Sequence, residues 1–201
     1  MEFNSQLGQD VFIANYFNFL RGGQYLEIGA GHPQKGNNTY ALEKELNWKG
    51  LSVENNPEVR GYWGNFRKQP LVCEDAFELD FGYLLGEYKF DKTIHYLSLD
   101  LDENIRTCYD CLIGLPFESY DFLALSVEHD YYDNQNVDTR NAIRYFLHDN
   151  NYELVFADVS LEGHGSIEDW WIRKDIYEEN PIEPLAGQLF HQGLKTWKYA
   201  Y

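Results

Sequence analysis

Residues 25 to 39 read YLEIGAGHPQKGNNT, an apolar run that carries an acid, Glu27, and then turns sharply through Gly29, Ala30 and Gly31. Glycines at this spacing permit a tight strand-to-helix turn and let a ligand approach backbone amides, and Glu27 is placed to orient that loop. A dinucleotide site would ask for a third small residue, where this chain has Gln34 preceded by Pro33, and the pyrophosphate reading weakens accordingly. Further acids follow later apolar runs. Glu54 comes directly after GLSV and could accept hydrogen bonds from two ribose hydroxyls; Asp75, followed by Ala76, could accept one from an adenine amino group. Together they suit adenosine without a pyrophosphate. Each also has a plainer reading, an ordinary turn for the glycines and a helix N-cap for Glu54 or Asp75.

Such residues act together only if the fold brings them to one edge. Short apolar runs recur along the chain, QYLEI, GLSVE, PLVCE, IHYLSLD, DFLALSVE, YELVFADV and EDWWI. Between them, residues about 9 to 20, 38 to 46, 57 to 66, 103 to 115 and 139 to 150 carry helix-period apolar spacing. This alternation predicts an α/β fold, a mostly parallel seven-stranded sheet with helices on both faces. The last two runs flank the Gly-rich LEGHGS and are expected to form an antiparallel terminal hairpin. Residues 77 to 91 read equally as a helix or a small hairpin, and the tail after Ile172 has no clear period. In open α/β sheets ligands bind beyond the carboxyl ends of the strands, where strand order reverses. The run ends in order are Gly29 to Gly31, Glu54, Asp75, Asp100, and Glu128 with His129.

The 201 residues suffice for one well-cored domain, 1–201, and are too few for two ordinary ones. Apolar residues at 44% exclude wholesale disorder, and no run of about 18 apolar residues could span a bilayer. Without a basic region followed by an apolar one at the N-terminus, a cytoplasmic setting is the default expectation. Sixteen basic residues against 33 acidic ones give a formal charge of −17, which would repel a phosphate backbone, so nucleic acid is not the expected partner. Cys108 and Cys111 form a CxxC without a second such pair; Ile105, Cys108, Leu112 and Leu115 share a helical stripe with Cys111 adjoining, so core packing is the expectation.

The combination of glycine loop and successive acids resembles the class I S-adenosylmethionine-dependent methyltransferases, and more finely the FkbM family. The resemblance is carried by SQLGQD at 5 to 10, YLEIGAG at 25 to 31, NNTYALEKELNWKGLSVENNP at 37 to 57, and less closely by LSLDLDE, RNAIRYFLHDNNYELV and EDWWI. It implies a Rossmann-like methyltransferase fold. It also implies that Glu27, Gly29, Ala30 and Gly31 form the methionine-side loop, that Asn38 and Thr39 help hold the cofactor carboxylate, that Glu54, Asn55, Asp75 and Ala76 hold the adenosine, and that Gln6 and Gln9 close the site. The D-x-E-G-x-E pattern frequent in the family after its fourth strand is absent here, where residues 100 to 105 read DLDENI.

Methyl transfer from a sulfonium to an oxygen is an in-line displacement that requires an aligned hydroxyl, excluded water and removal of one proton. A divalent cation, magnesium or manganese, would help by lowering the hydroxyl pKa. Asp100, Glu128 and His129 are the expected ligands, with Asp130 replacing His129 or Asp102 replacing Asp100 as alternatives. The expectation is an analogy of position with metal-dependent catechol and macrolide-sugar O-methyltransferases. His129 is the expected general base, since histidine as a residue type titrates near neutral pH, with Asp100 second. The aromatic pairs Tyr62 and Trp63, Tyr131 and Tyr132, Trp170 and Trp171 could offer a ring face to a sugar, although most such rings pack in cores. The expected activity is methylation of a sugar or glycan hydroxyl; a methyltransferase of small molecules or proteins and a catalytically silent interaction module are the alternatives, and the chain is also consistent with one domain of a longer polypeptide.

Overall fold

The computed structural model of the protein describes residues 1–101, 107–129, 131, 137–161 and 165–182. Its elements in chain order are α1 (Gln9–Tyr16), β1 (Gln24–Ile28), α2 (Tyr40–Leu46), β2 (Lys49–Val53), α3 (Pro57–Tyr62), β3 (Leu71–Val72), α4 (Phe81–Glu87), β4 (Thr93–Leu99), α5 (Cys108–Leu112), β5 (Asp121–Glu128), α6 (Val137–Asp149), β6 (Tyr152–Val159), β7 (Glu168–Arg173) and α7 (Lys174–Glu179). Short 3-10 turns at Trp63–Asn65 and Ala76–Glu78 follow α3 and β3.

The strands form one sheet in the order β3-β2-β1-β4-β5-β7-β6. Pairing is parallel from β3 through to β5, and β7 runs antiparallel to both β5 and β6. The expected terminal hairpin is therefore present, with its second strand inserted between β5 and β6. From β1 the chain steps outward to β3 and then returns to place β4 on the other side of β1. That reversal opens a crevice at the carboxyl ends of the two central strands.

Side chains alternate between two cores because successive residues of a strand face opposite sides. Leu26, Ile28, Leu51, Val53, Leu97, Leu99, Leu125, Val127 and Trp171 pack on the side covered by α4, α5 and α6. Tyr25, Tyr96, Ala124, Trp170 and Ile172 pack on the other, under α1 and α2. The continuous apolar character of the central strands thus reflects burial on both faces. Trp170 and Trp171 each fill one core and are fully buried, so neither offers a ring to a ligand. Cys108 and Cys111 lie within the first core, and burial pushes the Cys111 thiol up to about 12, leaving it protonated and inert.

Capping resolves the open segment at residues 77 to 91. Asp80 accepts a hydrogen bond from the Tyr83 N–H (2.9 Å), which starts a helix at Phe81 where the sequence allowed a hairpin. After Ile172, α7 begins beside Arg173, whose guanidinium grips Asp175 (2.7 and 2.8 Å). No helix among the described residues is long and apolar enough to cross a membrane.

Candidate active site

The crevice begins where β1 ends. The N–H groups of Gly29 and Ala30 both donate to the Val53 carbonyl (3.0 Å each), and the Asp100 N–H donates to the Ile28 carbonyl (2.9 Å), so the turn is tied to β2 and β4 at once. Gly29 has φ +81°, and a Cβ placed on it would stand 1.6 Å from the Asp100 carbonyl oxygen. No side chain fits there. Gly31, at φ +54°, donates its N–H to the Glu54 carboxylate (2.7 Å), whose other oxygen accepts from the Asn56 N–H (2.8 Å). A carboxylate offers about four lone-pair sites, so Glu54 retains acceptor capacity for a diol. Asp75 caps the Ala76–Glu78 turn through the Phe77 N–H (3.0 Å), so it is an N-cap and a cavity residue together.

The SQLGQD segment folds against this turn. Ser5 pairs with Gly36 as an isolated parallel bridge. The buried Asp10 carboxylate accepts from the N–H groups of Asn4 (2.6 Å), Ser5 (3.1 Å) and Val11 (2.8 Å) and from the Ser5 hydroxyl. Segment and turn are thereby held together, and Gln6 reaches the crevice.

The crevice encloses a cavity of about 430 Å³. Of the residues expected from the sequence, Gln6, Glu27, Gly29, Ala30, Gly31, Asn38, Glu54, Asn55, Asp75, Ala76 and Asp100 line it. His32, Lys35, Asn37, Glu74, Phe77 and Leu101 share the lining without a sequence signal that marks them. Gln9 and Thr39 lie outside the lining. Gln9 is buried, its side-chain oxygen accepting from the Leu7 N–H (3.0 Å) and its amide meeting Glu168, while the Thr39 hydroxyl accepts from Arg67 (2.8 Å).

The expected metal triad requires correction. Asp100 lines the cavity, but Glu128 and His129 do not, and among the described residues the group with ligand atoms close enough for one ion is His129, Asp158 and Asp169. The reason is strand alternation. The His129 N–H continues the β5–β7 ladder to the Ile167 carbonyl (2.8 Å), which sends the imidazole toward α6; its Nδ1 accepts from the Tyr131 N–H (3.2 Å) and its Nε2 faces Asp169 (3.4 Å). This second group does not suit a cation either. Arg144 grips Asp169 with two bonds (2.7 and 2.8 Å), and Arg140 and Arg144 both reach Asp158 (2.8 and 2.9 Å), so two guanidinium groups already neutralise two carboxylates. His129 is consequently not the cavity's base, and Asp100 is the candidate placed there. Asp102, Asp130 and Tyr132 lie outside the described residues.

No protein-family model and no curated protein sequence matches the chain. Solved structures do. A protein named as an O-methyltransferase from Klebsiella pneumoniae superposes with a TM-score of 0.58 at 12% identity, covering 86% of this chain and 83% of that one. One named as an rRNA-methylase from Clostridium thermocellum gives 0.54 at 12% identity over 86% of this chain and 100% of that one. The N-methyltransferase NodS from Bradyrhizobium japonicum gives 0.52 at 6% identity over 82% and 94%. The chain has the class I methyltransferase fold.

Within this methyltransferase fold, two buried groups make contacts that the sequence pattern does not mark. Arg67 is 3% exposed and binds β1, the turn after it and α2 at once. Its signal in sequence is nil, because a lone arginine in a polar stretch reads as a surface residue. Glu168, 1% exposed at the start of β7, has its carboxyl pushed up to about 8 by burial, opposed by a hydrogen bond from the Trp170 indole and raised further by the charge of Asp100. It favours the protonated form at neutral pH and meets the Gln9 side chain.

Proposed function

We propose that this chain is an S-adenosylmethionine-dependent O-methyltransferase of the FkbM type acting on a hydroxyl of a sugar or glycan. The observation that carries the reading is the cavity at the β1/β4 reversal, whose wall takes Glu27, the Gly29–Gly31 turn, Glu54, Asp75 and Asp100 from the ends of four successive strands. Glu27, Asn38 and the glycine turn would hold the methionine portion, Glu54 and Asn55 the ribose, and Asp75 with Ala76 the adenine. The cofactor, when bound, supplies an electrophilic methyl group on a sulfonium. The acid-rich wall suits that positive charge.

The chain's own residues do the rest. Asp100, after β4, would accept the proton that the acceptor hydroxyl loses as its oxygen bonds to the methyl carbon and the carbon–sulfur bond breaks, leaving a neutral thioether. Gly29 brings the Asp100 backbone against the turn, which fixes the base relative to the donor end of the cavity. The described donors for a divalent cation do not converge on the cavity, so no step is assigned to a metal. The charge of −17 argues against a nucleic-acid acceptor, and the sugar or glycan class rests on the motif resemblance.

Incubation with methyl-labelled S-adenosylmethionine and a panel of glycan fragments tests the proposal. Label transferred to a hydroxyl supports it. Cofactor binding with transfer to a small molecule or protein instead would move the acceptor class, and absence of cofactor binding would leave an interaction module.

A further inference from the structure

A second cavity, of about 480 Å³, opens at the opposite edge of the sheet, where β5 and β6 begin and β7 ends. Its size falls within the range of about 300 to 1,000 Å³ usual for small-molecule sites. β5 runs eight residues from this edge toward the crevice, and at about 3.3 Å per residue it sets the two cavities about 25 Å apart, so a ligand here does not meet the cofactor. The charged groups of the wall largely satisfy one another. Arg173 donates from Nε and Nη2 to Asp175 (2.7 and 2.8 Å) and its Nη1 lies 3.0 Å from Asp121, so all three nitrogens are engaged. Lys174 and Glu178 add one charge of each sign. The wall thus carries three carboxylates against two cations, an excess that disfavours an anionic ligand, and among the described residues no set of ligand atoms converges here on a metal ion.

The groups left over are mostly neutral. Asn151, in the turn between α6 and β6 at φ +63°, is pinned through its backbone: its N–H donates to the His148 carbonyl (3.1 Å) and its carbonyl accepts from the Lys174 N–H (2.8 Å), while its side-chain amide has no partner among the described residues. Asn150 uses its Nδ2 on the Phe146 carbonyl (2.8 Å) and keeps Oδ1 as an acceptor. The Tyr120 hydroxyl has no partner among the described residues. Phe117, on the same wall, is fixed by edge contacts with Phe122, Phe146 and Tyr152 (ring centroids 5.2, 5.6 and 6.0 Å apart). Asp121 and Asp175, 52% and 62% exposed, retain lone pairs. Aromatic rings set among amides, a hydroxyl and carboxylate acceptors match a ligand with an apolar face and several hydroxyl groups.

We propose that this cavity is a saccharide-binding site for a neutral sugar unit, in which Phe117 and Tyr120 meet the apolar face of the sugar ring and Asn150, Asn151 and Asp121 exchange hydrogen bonds with its hydroxyls. The site is separate from the methyl-transfer crevice and does not depend on the reading given to that crevice. Its two rings stand three residues apart in the segment before β5 and belong to none of the adjacent aromatic pairs of the sequence.

Saturation-transfer NMR titrations with the methyl glycosides of glucose, galactose, mannose and N-acetylglucosamine test it. The wild-type chain should bind at least one of them. Asn151→Gly, which tolerates the positive φ and removes the amide, and Tyr120→Ala should each weaken that binding at least about fivefold while leaving S-adenosylhomocysteine affinity within about twofold of wild type. Tyr120 is half-buried; should Tyr120→Ala not fold, Tyr120→Phe removes the hydroxyl alone and should weaken binding at least about twofold. Absence of binding by all four glycosides would overturn the site, as would binding that the Asn151 and Tyr120 variants leave unchanged, which would place the sugar elsewhere. Binding of inorganic phosphate that Lys174→Ala abolishes would overturn it too, by showing an anion site. Glycoside binding that the variants weaken, in a chain that binds no S-adenosylhomocysteine, would uphold this site and overturn the cofactor reading instead.

Discussion

Gly29 and Gly31 stand two residues apart in the same turn, both with positive φ, and the structure separates their roles sharply enough to be measured. At Gly29 a methyl group would meet the Asp100 carbonyl oxygen at 1.6 Å, where real contacts do not fall under 3.0 Å, and the obstacle is backbone. Relief requires the turn and the end of β4 to move apart, which disrupts the Asp100 N–H bond to Ile28 and draws the Gly29 N–H off Val53. Two hydrogen bonds at about 1 kcal/mol each and left-handed strain of about 1 to 2 kcal/mol give a loss of about 3 to 4 kcal/mol for Gly29→Ala before the clash itself is counted. At Gly31 a methyl group meets no protein atom within 4 Å, so Gly31→Ala should lose about 1 kcal/mol from strain alone. The open space is the cavity, and Gly31→Val should fold while losing cofactor binding. Urea denaturation of the alanine variants, followed by calorimetry on whichever fold, checks this. A Gly29→Ala protein within about 1 kcal/mol of wild type would refute the argument that close approach at the β1/β4 reversal, rather than ligand access, requires this glycine.

Three further outcomes follow from the same geometry. Glu54→Ala removes the charged partner proposed for the ribose diol, and since charge-assisted hydrogen bonds carry about 1.5 to 3 kcal/mol, calorimetry should find cofactor affinity down at least about tenfold in a folded protein. Asp100→Asn should lower turnover at least about a hundredfold with cofactor affinity nearly unchanged, and excess chelator should leave wild-type turnover unaltered; loss of activity in chelator, restored by magnesium, would return a metal to the mechanism. Glu168, raised from an ordinary 4.5 to about 8, holds a proton in the folded state that the unfolded chain has already released, so its contribution to stability falls as pH rises from 4.5 to 8. The drop is on the order of 5 kcal/mol, and Glu168→Gln should abolish it, matching wild type near pH 4.5 and exceeding it at pH 8.5 in denaturant titrations; parallel pH profiles for the two proteins would remove the buried-acid assignment.

Hydrophobic period and turn chemistry are local properties, and they sufficed for the seven strands, the parallel sheet and the terminal hairpin. A strand buried on both faces must be apolar throughout, and QYLEI, IHYLSL and DFLALSV are legible for that reason. The glycine turn and the acids at successive strand ends were legible too, because parallel strands deliver their carboxyl ends to one edge whatever the loops do. The direction of an individual side chain at those ends was not. Register decided that His129 continues the ladder and turns toward α6, where Arg140 and Arg144 neutralise its neighbours, and that Trp170 and Trp171 each fill a core. Packing also decided which polar residues sink. Arg67 lies 42 residues from Tyr25 and 28 from Thr39 in the chain, and such bonds leave no periodic trace in sequence. Gln9 likewise stands three residues after Gln6, which does reach the cavity, but it opens α1 while Gln6 lies before that helix, and its side chain meets the buried Glu168 instead.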